Sequence, residues 1–176
     1  MRARRLLLIL VLTAVVGAVA SCAEGPGAQS WAASVCEALA PWRAEVGALT
    51  GRADEQMAAA TTPAAARENL VRLLEAASRA SETARERVAA AGAPLVDGGP
   101  AVAAEVTASL AAVRDAYGRA GAAVGELPTA DADTFYAGVA AVLSTLEEEY
   151  AASALDTTTL DSPELVRAFD EVPQCH

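Results

Sequence analysis

The chain has 176 residues with 13 cations and 23 acids, a formal charge of −10, and every cation is an arginine. An acidic chain lacks the basic footprint that nucleic-acid binding needs, and charge gives it no attraction to anionic lipid headgroups. The length suits one ordinary domain around a single core. The heavy use of alanine, with arginine and no lysine, points to a GC-rich coding sequence.

Arg2, Arg4 and Arg5 precede an apolar run from Leu6 to Val19 that ends in small residues. A positive region, an apolar region and a small-residue cut site form a secretory signal peptide, so residues 1–21 are expected to be removed. The run is shorter than the roughly 20 residues a spanning helix needs, and no later segment is more apolar. Two cuts compete. Ala18-Val19-Ala20 suits ordinary signal peptidase, whereas Val19-Ala20-Ser21-Cys22 resembles the bacterial lipobox, whose cysteine becomes diacylglyceryl-modified. The cysteine count separates them. With Cys22, Cys36 and Cys175 an exported chain has an odd thiol, and lipidation of Cys22 removes it from the count. Two acyl chains then give stable anchoring at the extracytoplasmic face of the membrane. Arg4-Arg5 lacks the rest of a twin-arginine motif, so Sec export is expected. Removal of residues 1–21 takes three arginines and no acid, leaving −13.

After the cut, Gly25, Pro26 and Gly27 mark residues 22–30 as a lipidated tether, leaving 31–176 as the folded domain. Val35, Leu39, Trp42, Val46 and Leu49 recur at helical steps, with Pro41 expected to kink or break that first helix near Ala40. Thr62 and Pro63 then open a second helix along Leu70, Leu74, Ala77, Ser81, Ala84 and Val88. Gly92 and Pro94 end it. After the turn signal Asp97-Gly98-Gly99, Pro100 opens a third helix along Val102, Val106, Leu110, Val113, Tyr117 and Val124. Pro128 stops that one, and Asp131 or Asp133 caps a fourth along Phe135, Val139, Val142, Leu146 and Tyr150. Ser162-Pro163-Glu164 starts a last short helix bearing Leu165, Val166 and Phe169.

Four amphipathic segments on short connections predict an all-α fold, an antiparallel four-helix bundle with a short C-terminal helix. In that topology the start of the first helix and the chain end share one end of the bundle. Cys36 and Cys175 can pair there as one disulfide, which persists in an oxidising compartment.

The lipobox, the Cys36 to Trp42 spacing in the first helix, the Pro- and Gly-bearing turn before the third helix and the near-terminal Cys175 together resemble small secreted lipoproteins of actinobacteria. That resemblance implies an envelope address and brings no activity to carry over.

Chemistry-bearing constellations are sparse. His176 is the single histidine and stands at the terminus, and there is no Glu-x-x-His motif of a di-iron bundle. No catalytic residue, metal or cofactor is expected. Asp54, Glu55, Glu126, Asp131 and Asp133 fall near the first and third helix-helix turns, at the end away from the anchor, as a candidate surface for a basic partner. Capping and solubility are the plainer use of these acids. The expected role is an envelope binding or scaffold module rather than an enzyme, whose protein partner the sequence does not name. A carrier of a small apolar ligand between the helices, beside Trp31 and Trp42, is the alternative.

Overall fold

The computed structural model describes residues 25–60, 62–153 and 160–176, apart from the side chains of Asp54 and Met57. The expected signal peptide and Cys22 lie outside the described residues. Within them the fold is all-helical: α1 (Ala28–Ala59), α2 (Pro63–Ala90), α3 (Gly99–Gly125), α4 (Ala132–Ser153) and α5 (Pro163–Glu171), with a 3-10 turn over Pro173–Cys175. No described helix is long and apolar enough to cross a membrane.

The start signals act as the sequence predicts. The Thr62 hydroxyl accepts from the Ala65 N–H at 3.2 Å, and the Ser162 hydroxyl from the Leu165 N–H at 3.4 Å. Each satisfies one of the orphan donors of a first helical turn, with proline in the following position where no donor is lost. For α4 the cap is Asp131, whose Oδ1 accepts from the Thr134 N–H at 2.8 Å. Gly98 takes a left-handed φ of 73° ahead of α3. At Gly99 a side chain would collide with the Pro94 carbonyl oxygen, so the turn closes only on glycine.

Two boundaries differ from expectation. α1 runs unbroken through Pro41. The ring stands on the exposed side of the helix, while Leu39 and Trp42 beside it are buried, so tertiary packing holds the turn that proline weakens. The tether is also shorter than residues 22–30. α1 begins at Ala28, and the chain ahead of it is docked, with the Leu95 N–H donating to the Pro26 carbonyl at 2.8 Å.

The four long helices pack in chain order, α1 on α2, α2 on α3 and α3 on α4. Trp31 Nε1 donates to the Gly92 carbonyl at 2.9 Å and Trp42 Nε1 to the Ser81 hydroxyl at 3.0 Å, so α2 descends as α1 rises. The Ser78 hydroxyl donates to the Arg114 carbonyl at 3.0 Å, and Gly121 lies against Leu74. Along α4, Arg119 pairs with Glu149 at 3.0 Å and the Tyr117 and Tyr150 rings meet edge to face at 6.4 Å. Packed seams join α1 to α2, α2 to α3 and α3 to α4, while α5 and the terminal turn lie on α1.

The apolar interior falls into two clusters at opposite ends of the α2–α3 pair. One gathers Trp31, Val35, Leu39, Val88, Leu110 and Phe169; the other gathers Ala66, Leu70, Val124, Phe135 and Val139. Tyr117 touches both. Phe169 closes over the first cluster, its ring edge-on to Trp31 at 5.8 Å. The Cys36–Cys175 disulfide fastens that end, with Cα atoms 5.1 Å apart at a sequence separation of 139.

Candidate functional site

The ligand slot of the alternative reading would lie in the seam beside the tryptophans. Trp31 is fully buried and Trp42 nearly so, and both indole N–H groups are satisfied within the protein. Ser81 completes that arrangement, since its hydroxyl accepts from Trp42 and donates to the Ala77 carbonyl at 2.9 Å. A serine at a core position of α2 is thus explained by the donor it faces: an unpaired buried indole N–H costs about 1–3 kcal/mol.

The α1–α2 and α3–α4 turns do share one end, where Ala60 and Leu127 pack against the second cluster and Arg67 donates to the Leu127 carbonyl at 3.3 Å. Glu55, Glu126, Asp131 and Asp133 are all exposed there. The side chain of Asp54 lies outside the described residues. Asp131 is committed to its cap, and Thr134, through its side chain and then its backbone N–H, holds the Asp131 carboxyl below the usual carboxylate range. Arg52, two residues before Asp54 in sequence, pairs with Glu45 at 3.0 Å.

The strongest charge constellation was not foreseen. Glu82 on α2 is held by Arg85 one turn on, at 2.9 Å from its Nε, and by Arg114 of α3 at 2.7 Å; Arg114 also reaches Asp115 at 2.7 Å. Arg85 first, then Arg114, lower the Glu82 pKa from 4.5 to about 2. Beside this cluster the α2–α3 seam opens outward as a groove of about 540 Å³, floored by alanines such as Ala104, Ala108 and Ala111. The sequence carries the Glu82–Arg85 spacing, but the Glu82–Arg114 pair depends on the register of two helices, which periodicity alone does not fix.

The depressed Glu82 pKa makes a stability prediction. The unfolded chain binds this proton more readily than the folded one, so the contribution is whole above about pH 4.5 and is lost as pH falls through about 2. Glu82→Gln is expected to be less stable than the wild type at pH 7, with the gap closing on acidification. Thermal melts of both proteins from pH 7 to pH 2 check it, and a gap that does not change with pH would refute it.

α4 presents the third feature. By spacing, Tyr150 belongs to its core stripe, and its ring meets Tyr117 of α3, yet it is 42% exposed, because α4 packs chiefly on α3 alone. Only Phe135 and Val139 are buried. Tyr136 and Leu143 are also exposed, at 41% and 40%, and stand fourteen and seven residues ahead of Tyr150 on one face. No charged residue occurs from Thr134 to Leu146. A helix face open to solvent, aromatic-bearing and uncharged from Thr134 to Leu146, is the kind of surface that marks an interaction site.

His176 lies at the described chain end, its Nε2 3.0 Å from the Asp170 carbonyl. Among the described residues no three metal-ligating side chains converge. No family model, curated protein or solved structure matches the chain.

Proposed function

We propose that this chain is an envelope lipoprotein, held by an acylated Cys22 at the extracytoplasmic face of the cell membrane, that works by binding a protein partner rather than by catalysis. Its body is read as an antiparallel four-helix bundle with a short C-terminal helix. The observation that carries the binding role is the outer face of α4, uncharged from Thr134 to Leu146, with Tyr136 and Leu143 exposed there and Tyr150 beyond them, on a helix that buries only two residues. Aromatic side chains combine a large apolar area with few rotatable bonds, which is why they anchor interfaces.

The start of the described chain supports the address. Gly25 lies only three residues beyond Cys22 and packs against Leu95 in the α2–α3 turn. An acyl anchor at Cys22 would therefore tie the disulfide-fastened end of the domain to the bilayer on a very short leash. The resemblance to actinobacterial lipoproteins points to the same address.

Two measurements test the reading. Labelling cells with an alkyne fatty acid is expected to mark the wild type and not Cys22→Ala; equal label on both ends the lipoprotein reading. In-cell crosslinking with mass spectrometry is expected to recover a set of adducts that Leu143→Glu depletes. A crosslinked set unchanged by Leu143→Glu, with the protein still folded, removes α4 as the binding surface.

A further inference from the structure

The two ends of the domain differ in charge. From Val88 to Ala104, across the α2–α3 turn, Asp97 is the single charged residue, and Ala89, Gly92, Leu95, Pro100, Ala101 and Ala104 are exposed there. Leu95, at 48%, is the most exposed large apolar side chain among the described residues. The turns at the other end carry Glu55, Glu126, Asp131 and Asp133, all exposed. The chain leading from Cys22 enters at the charge-poor end: Gly25 lies against Leu95 and the Ala93 carbonyl, and the Pro26 carbonyl accepts from the Leu95 N–H at 2.8 Å. We infer that the tip of the α2–α3 turn is seated in the headgroup layer of the bilayer with Leu95 at the acyl boundary, so that the domain touches lipid at a second point beside its anchor.

Chain length brings the tip and the lipid together. Three residues span about 11 Å at full extension, so an acylated Cys22 holds the bilayer within about that distance of Gly25. Charges resume at Arg87, three residues before the end of α2, and at Glu105, six residues into α3. At 1.5 Å per residue the tip therefore has about 5–9 Å of helix free of charge, which matches the depth of about 5–10 Å to which interfacial segments sink. The headgroup layer is polar, so the Asp97 carboxylate keeps water there. The backbone of the turn suits the same layer. Pro94 and Pro100 carry no N–H, and the N–H groups of Leu95, Gly99, Ala101 and Val102 are bonded to carbonyls of the protein.

An apolar contact needs no charge attraction, which this acidic chain lacks. On the α1 side, Glu171 of α5 accepts from Gln29 at 2.9 Å, so that side keeps its charge in water and the domain leans on its α2–α3 turn. The inference deepens the reading of Cys22 as the anchor and rests on it.

The full-length acylated protein is reconstituted in phosphatidylcholine vesicles and freed of unbound protein by flotation. With Cys22 acylated and Cys36 bonded to Cys175, Leu95→Cys offers one free thiol for an environment-sensitive fluorophore. Its emission is expected to shift to the blue and to be quenched by nitroxide-bearing lipids. The same label at Glu126→Cys, about 40 Å of helix away along α3, is expected to do neither. A fluorophore can itself seek lipid, so a label at Ala101→Cys reads the contact with Leu95 intact. There, adding Leu95→Ser is expected to lower the ratio of lipid-contacting to free label about fivefold, as the loss of half a leucine's burial implies. The Leu95 side chain is half exposed and its N–H still reaches Pro26, so this variant melts with the wild type. Water-like emission from position 95 on vesicles that carry the protein overturns the inference and leaves the anchor standing, and so does an Ala101 signal that Leu95→Ser does not move. A blue shift in the native envelope but not in vesicles free of other proteins also overturns it, since a protein then covers the tip. Protein that neither floats nor takes fatty-acid label at Cys22 overturns the anchor and the inference with it.

Discussion

Cys175→Ser is expected to lower the melting temperature by about 10–20 °C while the helical circular dichroism keeps most of its amplitude. The Cys36–Cys175 bond closes a loop with a sequence separation of 139. In the chain-entropy model a loop of that size stabilises by about 5 kcal/mol, because cross-linking removes extended states from the unfolded chain. What it secures in the folded chain is specific. Leu165, Ala168, Phe169 and Val172 are buried by packing on the first cluster, and this C-terminal segment meets the rest of the described fold through α1. With the bond gone, that burial still favours docking, which is why secondary structure survives. Calorimetry with and without reductant, on the wild type and on Cys175→Ser, checks the expectation: reduction should shift the wild type and leave the variant unmoved. A wild-type shift under about 2 °C would mean that packing alone keeps the ends together.

Much of this architecture is legible in the sequence because it rests on local rules. The stripe from Leu70 to Val88 on α2 is buried as its spacing predicts, and Thr62 and Ser162 cap where a hydroxyl precedes proline. The disulfide joins Cys36 and Cys175, the two cysteines that the sequence leaves to pair once Cys22 is set aside. What escapes the sequence depends on register or on tertiary context. Pro41 is a helix breaker in isolation and is overruled by Leu39 and Trp42 packing on either side of it. Arg114 reaches Glu82 only because α2 and α3 meet at one offset among several that the same stripes allow. On α4 the core stripe was read correctly at Phe135 and Val139, and a second signal lay beside it. Tyr136 and Leu143, seven residues apart within the charge-free stretch from Thr134 to Leu146, make that part of the helix apolar on two faces, whereas a helix with a single buried face carries charge on the other.

Phe135→Ala is expected to destabilise by about 3–5 kcal/mol, and to do so unevenly along the chain. Phe135 is fully buried in the second cluster, and with Val139 it accounts for all the complete burial on α4. Replacing the ring with a methyl group leaves a cavity bounded by Ala66, Leu70 and Val124, which have little freedom to collapse into it because α2 and α3 are packed on each other. The remaining ties of α4 are weaker. The Arg119–Glu149 pair is largely exposed, and exposed pairs contribute at most about 1 kcal/mol. Local opening then becomes the cheapest response, with α4 detaching while the first cluster, fastened by Cys36–Cys175, stays closed. Hydrogen exchange reads the difference directly. In Phe135→Ala the amides of α4 from Phe135 to Tyr150 are expected to lose most of their protection, while those around Val35, Trp42 and Val88 keep theirs. Uniform acceleration along all the helices would show instead that the two clusters open as one cooperative unit, joined through Tyr117, and that α4 is no more easily released than the rest.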